Sequence, residues 1–229
     1  MNNFTSLIAG STGFLGSKIL NALNQEDNKI YCLSRRDNNH SSNNIEQIIV
    51  NFDSLEELKL PKVDHVFLCL GYELRAWELL SMPEKLKKPF YKVDYDYTLE
   101  IAKKSLDSGS SSISLISAIG ANSSSPSFYL KTKGDIEEEI KRLPFRKINI
   151  FQPGHLAGRI DWQRKKNDPR IDVFAFEVAS LFFDPFMISS LKKFRSINAD
   201  KLAKFVVNKS KDKKYGINYM SYNDFTSKK

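Results

Sequence analysis

Three glycines spaced three residues apart, near the start of the chain, constrain its fold more than any other feature. A short apolar run at 7–9 leads into them, and an amphipathic stretch at 15–23 follows. This succession predicts a β-strand, a tight turn and an α-helix. In such a turn Gly10 would form the bend, Gly13 would let the backbone approach a diphosphate, and Gly16 would let the helix pack closely on the sheet.

The loop and the start of the helix form a candidate dinucleotide site, because the N–H groups at a helix N-terminus attract anions. Its expected contacts are Gly10, Ser11, Thr12, Gly13, Phe14, Leu15 and Gly16. The spacing is G-x-x-G-x-x-G rather than G-x-G-x-x-G, and three glycines in such a turn are in some proteins only a tight connection. A β-α-β pattern continues after the motif, and we therefore favour the dinucleotide site.

Two arginines follow the second predicted strand, at 28–33, where the adenosine ribose lies in a β-α-β nucleotide fold. An acidic residue there binds the 2′-hydroxyl of NAD, whereas arginine accommodates the 2′-phosphate of NADP. Arg35 and Arg36 therefore favour NADP(H), since guanidinium groups bind phosphate with two hydrogen bonds. Two alternatives stay open: the arginines are ordinary surface residues, or Asp37 reaches the ribose of NAD(H).

Two later strand ends carry further candidate cofactor contacts. Asp53 follows the third predicted strand, where it could contact an adenine edge or, together with Glu56, cap a helix. Leu70 and Gly71 end the apolar fourth strand, predicted at 63–71. A glycine at that point fits close approach of a cofactor, or merely a turn.

Tyr129 and Lys133 lie four residues apart, and therefore on one face of a predicted helix. A lysine ammonium lowers the pKa of a neighbouring phenol, and such a phenol can give a proton to a carbonyl that is being reduced. Ser117, at the end of the fifth predicted strand, could hold the same carbonyl oxygen. With nine tyrosines in the chain, the alternative is a surface tyrosine beside a solvated lysine. The placement after Ser117 favours the catalytic interpretation.

Together these segments resemble the short-chain dehydrogenase/reductase superfamily, and more narrowly its atypical branch of Tat-interacting oxidoreductase-like NAD(P)-binding proteins. The resemblance covers residues 4–160 well and the remainder loosely. It is carried by the segments 10–16, 34–36, 67–71, 93–97, 117–121, 128–134 and 153–156. It implies a Rossmann-type α/β fold, in which a doubly wound parallel β-sheet has helices on both faces and NADP(H) lies along its C-terminal edge.

The resemblance also implies roles for individual residues. Ser117 would position the carbonyl, Tyr129 would donate the proton, and Lys133 would be its electrostatic partner and a ribose contact. Pro153 and Gly154 would lie near the nicotinamide.

Two residues depart from the pattern of the superfamily. Asp94 stands where many extended relatives have asparagine, which bears on any proton relay. Gln152 precedes Pro-Gly where arginine is usual, which bears on contacts with the substrate.

The length of 229 residues suits one α/β domain, and neither a repeat nor a linker is visible. We expect a single NAD(P)-binding domain over 1–229, in which 155–229 adds substrate-side and C-terminal elements. Further predicted elements are helices over 89–105, 129–143 and 198–208, and strands over 47–52, 112–117, 146–151 and 216–221. A basic loop is expected at 162–170. A strongly apolar helix at 172–183 would pack on the sheet, a substrate cavity or a second subunit, so a homo-oligomer stays open.

Charge is unevenly distributed along the chain. Residues 1–140 carry 15 Lys and Arg against 19 Asp and Glu, and residues 141–229 carry 20 against 8, so the net charges are −4 and +12. A basic C-terminal third could meet nucleic acid or an anionic membrane. The lysines are dispersed, however, and no motif joins a basic face to exposed aromatics. No apolar run approaches the ~18 residues of a membrane span. We expect a small-molecule substrate and neither of those partners.

The cysteines and the first residues bear on the cellular compartment. Cys32 and Cys69 lie inside apolar runs, which favours buried, reduced thiols over a disulfide or a metal site. The three histidines are scattered without metal-ligand spacing. No signal peptide precedes the first predicted strand. These features predict a cytoplasmic protein without a bound metal.

Three functions fit this sequence. The first is an NADP(H)-dependent oxidoreductase that transfers a hydride to or from a small carbonyl or alcohol. The second is a redox-sensing regulator that binds NADP(H) and turns over slowly or not at all. The third is a nucleotide-sugar epimerase or dehydratase, although little of the chain follows residue 160 to build a sugar-nucleotide lobe.

Overall fold

The computed structural model describes residues 4–26, 28–38, 42–79, 81–159, 184 and 195–227. Seven parallel strands form one sheet in the order β3-β2-β1-β4-β5-β6-β9. They are β1 (Thr5–Ala9), β2 (Lys29–Ser34), β3 (Ile45–Ile49), β4 (His65–Leu68), β5 (Ser112–Ile116), β6 (Lys147–Phe151) and β9 (Gly216–Met220). Two short strands, β7 (Leu156–Ala157) and β8 (Ile197–Asn198), pair separately. This architecture confirms the predicted fold class.

Helices cover both faces of the sheet. They are α1 (Phe14–Asn24), α2 (Glu84–Tyr91), α3 (Thr98–Asp107), α4 (Phe128–Arg142), α5 (Ala199–Lys211) and α6 (Tyr222–Thr226). Buried side chains of α1, α5 and α6 pack on one face, with Ile8 and Phe67 of the sheet. Those of α3 and α4 pack on the other face, with Leu7 and Leu68.

Burial follows position in the sheet. Every residue of the central strands β4 and β6 is buried, because helices cover them on both sides, and this explains their unbroken apolar runs. The outer strand β9 alternates between exposed and buried residues at its end, with Ile217 and Tyr219 exposed. The order of the strands reverses between β1 and β4, and ligands of open α/β sheets bind at such a point, beyond the carboxyl ends of the strands.

The helix predicted over 89–105 is longer than expected. It begins at Glu84, passes through a π-helical turn at Lys92–Tyr97 and ends at Asp107. The prediction began at Pro89 because proline favours the first turn of a helix. Here Pro89 lies inside α2, and Pro83 is the residue that precedes the helix.

Other boundaries differ as well. Residues 53–56 form turns, so the helix cap expected at Asp53 and Glu56 is absent. The helix predicted at 198–208 continues to Lys211, and α6 follows it. The segments predicted as a basic loop at 162–170 and an apolar helix at 172–183 lie outside the described residues.

Lys147 fastens the C-terminal end of α5 to the sheet. Its buried ammonium donates to the carbonyl oxygens of Lys209 (2.7 Å), Ser210 (3.1 Å) and Asp212 (2.6 Å). It also pairs with Asp212 Oδ1 at 3.0 Å. The last carbonyl groups of a helix have no partner within the helix, and here a lysine from β6 satisfies them.

Replacing Lys147 by alanine should lower the free energy of unfolding by about 3 kcal/mol, because a buried carboxylate and several carbonyl groups lose their donor. Urea unfolding followed by circular dichroism measures this. Lys204→Ala, at an exposed position on the same helix, should change stability by less than about 0.5 kcal/mol. Equal effects of the two substitutions would contradict the role given to Lys147.

Candidate active site

The first loop is shaped by two close backbone approaches. Gly10 has a φ of +93°, and a Cβ there would lie 2.4 Å from the carbonyl oxygen of Cys69, just after β4. A Cβ on Gly16 would lie 2.0 Å from the carbonyl oxygen of Gly10. Only glycine fits at either position, and the result is that α1 begins directly above the end of β1.

The N-terminus of α1 is suited to an anion. Gly13 is the N-cap residue, and no side chain caps the helix. Because Gly13 has no Cβ, the backbone here is open to a ligand, and the helix start attracts negative charge. A loop without side chains in front of an uncapped helix fits a diphosphate group. The other residues expected in this loop, Ser11 and Thr12, lie between Gly10 and the helix, and Phe14 and Leu15 begin it.

Arg35 and Arg36 lie just after β2 and are exposed. Within the described part of the chain, neither guanidinium takes part in an ion pair. The side chain of Gln47, on β3, donates to the carbonyl oxygen of Arg36 and so fixes the backbone of this segment. Both positive charges therefore lie at the same edge of the sheet as the glycine loop.

Asp53 is engaged with the π-helical turn. Its carboxylate accepts a hydrogen bond from the Tyr97 hydroxyl and forms an ion pair with Lys92. These hydrogen bonds, from Lys92 first and Tyr97 second, lower the pKa of Asp53. The carboxylate is exposed, so a contact with adenine would compete with these two partners.

Asp94 joins the segment after β4 to α4. It is buried at 3% exposure, and its Oδ2 accepts a hydrogen bond of 2.7 Å from the backbone N–H of Tyr72. Its Oδ1 lies 2.7 Å from Nζ of Lys133. Gly71 is adjacent, since a Cβ there would lie 4.0 Å from Asp94 Oδ1. Leu70 and Gly71 therefore lie beside the buried ion pair.

Tyr129 and Lys133 lie on one face of α4, as predicted. The helix is capped by Ser127, whose hydroxyl accepts from the N–H of Leu130, and the Tyr129 ring packs 5.7 Å from that of Phe90, centroid to centroid. Burial raises the pKa of Tyr129, and Asp94 adds to this, while the charge of Lys133 lowers it. The net pKa is raised, so the expected lowering by Lys133 is outweighed.

Lys133 is held in its charged form. Burial lowers its pKa, but the charges of Asp94 and Tyr129 raise it, and the net pKa lies above the ordinary value. A buried ammonium without an anion would be strongly destabilising, so Asp94 is what makes this position possible for lysine.

Ser117 is directed at a residue that the sequence analysis did not consider. Its buried hydroxyl donates to Oε1 of Glu137, and the side-chain amide of Gln152 donates to Oε1 and Oε2 of the same carboxyl group at 2.9 and 3.0 Å. Glu137 follows Lys133 by one turn on the buried side of α4. That position was the available signal, since a carboxylate on a buried helix face needs partners.

A cleft of about 510 Å³ opens beside this carboxyl group. Its lining includes Gly134, Glu137 and Gln152, with Tyr219 and Ser221 from the region of β9. Gly134 brings α4 close to the preceding loop, since a Cβ there would lie 2.2 Å from the backbone nitrogen of Ser123.

The segment after β6 continues along the same edge. Pro153 is buried and Gly154 is half-buried. The carbonyl oxygen of Pro153 accepts from the N–H of Ile119 at 2.9 Å, while Ser117 N–H donates to the carbonyl oxygen of Phe151 at 2.8 Å. Pro153 and Gly154 are thereby held next to the loop that follows Ser117.

Neither cysteine is positioned for chemistry at neutral pH. Both are free thiols, and burial raises the pKa of Cys32 to about 11 and that of Cys69 to about 12. Among the residues that the structure describes, no three His, Cys, Asp or Glu side chains cluster as metal ligands. Every helix in that part of the chain is too short or too polar to cross a membrane.

Comparison with known proteins identifies relatives. The model of the NAD-dependent epimerase/dehydratase family matches residues 6–118. Protein FMP52, mitochondrial, of Meyerozyma guilliermondii is 32% identical over 160 residues, which cover 67% of this chain and 65% of that protein. The fmp52 protein of Emericella nidulans, also named mitochondrial, is 30% identical over 210 residues, covering 88% of this chain and 84% of the relative.

Protein HTATIP2 of Rattus norvegicus is 29% identical over 163 residues, which cover 68% of this chain and 64% of that protein. The chain thus spans just under two thirds of the length of several of these relatives, between 64% and 66%. The expectation of a cytoplasmic protein is contradicted by the FMP52 relatives, which are named mitochondrial proteins. Compartment was inferred from reduced thiols, which do not distinguish one reducing compartment from another.

Solved structures share the fold. A short-chain dehydrogenase of Leptospira borgpetersenii with bound NAD+ superposes with a TM-score of 0.69 at 18% identity, covering 98% of this chain and 93% of that one. The human epimerase family protein SDR39U1 with NADPH gives 0.65 at 16% identity, covering 95% and 74%. At these identities the likeness is one of fold.

Asp94→Asn should lower the pKa of Tyr129, because the substitution removes a buried negative charge that disfavours the phenolate. Carbon NMR of ring-labelled tyrosine across a pH titration measures this, with Tyr129→Phe identifying the resonance. Asp96→Asn, exposed in the same π-helical turn, should leave that pKa in place. A Tyr129 pKa that is equal in the wild type and in Asp94→Asn would show that Asp94 does not act on the phenol.

Proposed function

The chain belongs to the NAD-dependent epimerase/dehydratase family, within the short-chain dehydrogenase/reductase superfamily, and we propose that it is an NADP(H)-dependent oxidoreductase of small carbonyls or alcohols. The observation that carries the proposal is the Tyr129 phenol beside the buried, charged Lys133, at the sheet edge that also holds the glycine loop. The relatives named with NADPH and NAD+ support a nicotinamide dinucleotide as cofactor.

The same edge offers a place for each part of the cofactor. The backbone of 10–16 would hold the diphosphate, and Arg35 with Arg36 would hold the 2′-phosphate. Asp53, Leu70 and Gly71, and after β6 Pro153 and Gly154, complete the proposed contacts. We further propose one NAD(P)-binding domain over 1–229, with 155–229 contributing to the substrate side.

The bound dinucleotide would supply or accept the hydride. The Tyr129 hydroxyl gives its proton to the substrate oxygen in reduction and takes it back in oxidation. The Lys133 ammonium stabilises the phenolate left behind, because a nearby positive charge favours the ionised form. Asp94 holds Lys133 in place and keeps it protonated. Ser117 would contact the substrate oxygen from the other side.

A second function is favoured by specific contacts. The Ser117 hydroxyl already donates to Glu137, and the pKa of Tyr129 is raised rather than lowered. Both features would slow proton transfer to a carbonyl, which supports a redox-sensing protein that binds NADP(H) and turns over slowly. The two functions differ in turnover and agree in binding.

The deciding experiment has two stages. Purified protein is titrated with NADPH and with NADH, and the bound form is then offered propanal, benzaldehyde, 4-nitrobenzaldehyde and cyclohexanone while nicotinamide absorbance is recorded. Turnover of a carbonyl supports the oxidoreductase. Tight NADPH binding without turnover supports the regulator, and absence of binding to either dinucleotide contradicts both.

The double substitution Arg35→Ala, Arg36→Ala should weaken NADPH binding by about 10- to 100-fold, because charge-assisted hydrogen bonds to the 2′-phosphate are lost. NADH binding should change by less than about twofold, since NADH has no such phosphate. Isothermal titration calorimetry measures both. Arg142→Ala, an exposed arginine at the end of α4, serves as the control. Equal losses for the two dinucleotides would remove the argument for NADP(H).

Tyr129→Phe should lower carbonyl turnover by at least about 100-fold, because the proton donor is removed while the ring is kept. Dinucleotide affinity should stay close to that of the wild type. Steady-state kinetics and the same calorimetry measure the two effects. Tyr91→Phe, whose ring stacks on Tyr95 in the neighbouring helix, should keep turnover. Unchanged turnover in Tyr129→Phe would assign the acid to another residue.

A further inference from the structure

The hydroxyl of Ser117 has a single proton, and in this structure that proton points to Glu137. The serine is buried at 6% exposure, and its Oγ donates to Glu137 Oε1. A hydroxyl in this state can only accept a hydrogen bond from a further partner. It would therefore bind the O–H of an alcohol, whereas a carbonyl oxygen needs a donor.

The Glu137 carboxyl group is buried among uncharged donors. It is 4% exposed, and its hydrogen-bond partners are the Ser117 hydroxyl and the Gln152 amide. Within the described residues it forms no ion pair with lysine or arginine. This contrasts with Asp94, which faces Lys133 directly.

Several charged groups surround this carboxyl at longer range. Lys133, Lys141 and Glu138 belong to the same helix, and Lys141 is paired with Glu138 at 2.6 Å. From β5 and β6 the facing groups are the neutral Ser117 and Gln152, and Tyr219 lines the same cleft from β9. Burial raises the pKa of Glu137, although the hydrogen bonds from Ser117 and Gln152 lower it in part. Protonation of Glu137 is therefore easier than that of an exposed glutamate.

We propose that Glu137 is a positioning residue whose protonation decides whether Ser117 donates a hydrogen bond to a substrate carbonyl or accepts one from a substrate hydroxyl. The proposal rests on the proposed function, in which Ser117 contacts the substrate oxygen. When Glu137 is ionised, Ser117 donates to it and favours the alcohol. When Glu137 is protonated, its O–H donates to Ser117 Oγ, and the serine proton turns to the carbonyl. No covalent bond changes at either residue, and the proton that enters the product comes from Tyr129.

The sign of the pH dependence follows from this arrangement. As pH rises through the pKa of Glu137, the carbonyl KM should rise and the alcohol KM should fall. One neutral hydrogen bond gained or lost corresponds to about a 5- to 10-fold change in each KM. The ratio of the two KM values should therefore change more than either value alone.

The kinetic test uses 4-nitrobenzaldehyde with NADPH and 4-nitrobenzyl alcohol with NADP+, across the pH range in which a buried glutamate titrates. Glu137→Gln imitates the protonated acid, since its NH2 can donate to Ser117 while its oxygen accepts from Gln152. We expect this variant to keep a low aldehyde KM at every pH. Glu138→Gln, a half-exposed neighbour in the same cleft, should keep the wild-type pH dependence.

A second measurement does not depend on turnover. Carbon NMR of carboxyl-labelled glutamate in the protein without cofactor reports the titration of Glu137, identified as the resonance missing from Glu137→Gln. Its midpoint should lie above that of ordinary glutamate. Ser117→Ala should move the midpoint higher still, because a hydrogen bond to the carboxylate is lost.

The outcomes separate the two proposals. A wild-type protein that reduces the aldehyde, with a Glu137→Gln variant that keeps the wild-type pH dependence, overturns the role of Glu137 alone. An ordinary NMR midpoint for Glu137 overturns it as well. A wild-type protein that reduces no carbonyl overturns the proposed oxidoreductase, and the switch of substrate preference with it.

Discussion

The packing of α1 against the backbone of the first loop is the contact on which the site depends. Gly16 and the Gly10 carbonyl approach so closely that no side chain fits between them. The same loop lies against the segment after β4, at Cys69. One set of missing side chains thus determines where the helix starts, how it meets the sheet, and how much room is left where the strand order reverses. Every other residue of the candidate site is arranged around that space.

A single helix, α4, brings two buried ionisable groups to this edge and treats them differently. Lys133 meets a full opposite charge on Asp94, and the pair is stable because each group compensates the other. Glu137, one turn later, meets only the dipoles of Ser117 and Gln152. The first arrangement keeps its charge, whereas the second leaves a carboxyl group that can change its protonation state. The departure of Gln152 from the usual arginine is what creates this difference.

Local patterns predicted the sheet well, because buried parallel strands read as unbroken apolar runs and each was followed by a glycine or a polar turn. They failed where tertiary contacts decide. Pro89 continues a helix that begins at Glu84, and nothing near it in the sequence announces this. The partners of Glu137 come from two different strands, and Asp53 meets a π-helical turn 44 residues away. Such contacts exist only once the sheet has brought distant segments together.

The outermost strand also has a consequence for biosynthesis. Phe151 in β6 pairs with Met220 in β9, across a large stretch of intervening chain. While the ribosome is still translating that stretch, β6 is an unprotected sheet edge, and the ammonium of Lys147 lacks the carbonyl groups that receive it in the finished molecule. Pairings between such remote segments form slowly, and open edges invite association with other chains. A nascent chain of this protein therefore has a long interval in which molecular chaperones would find their target at β6.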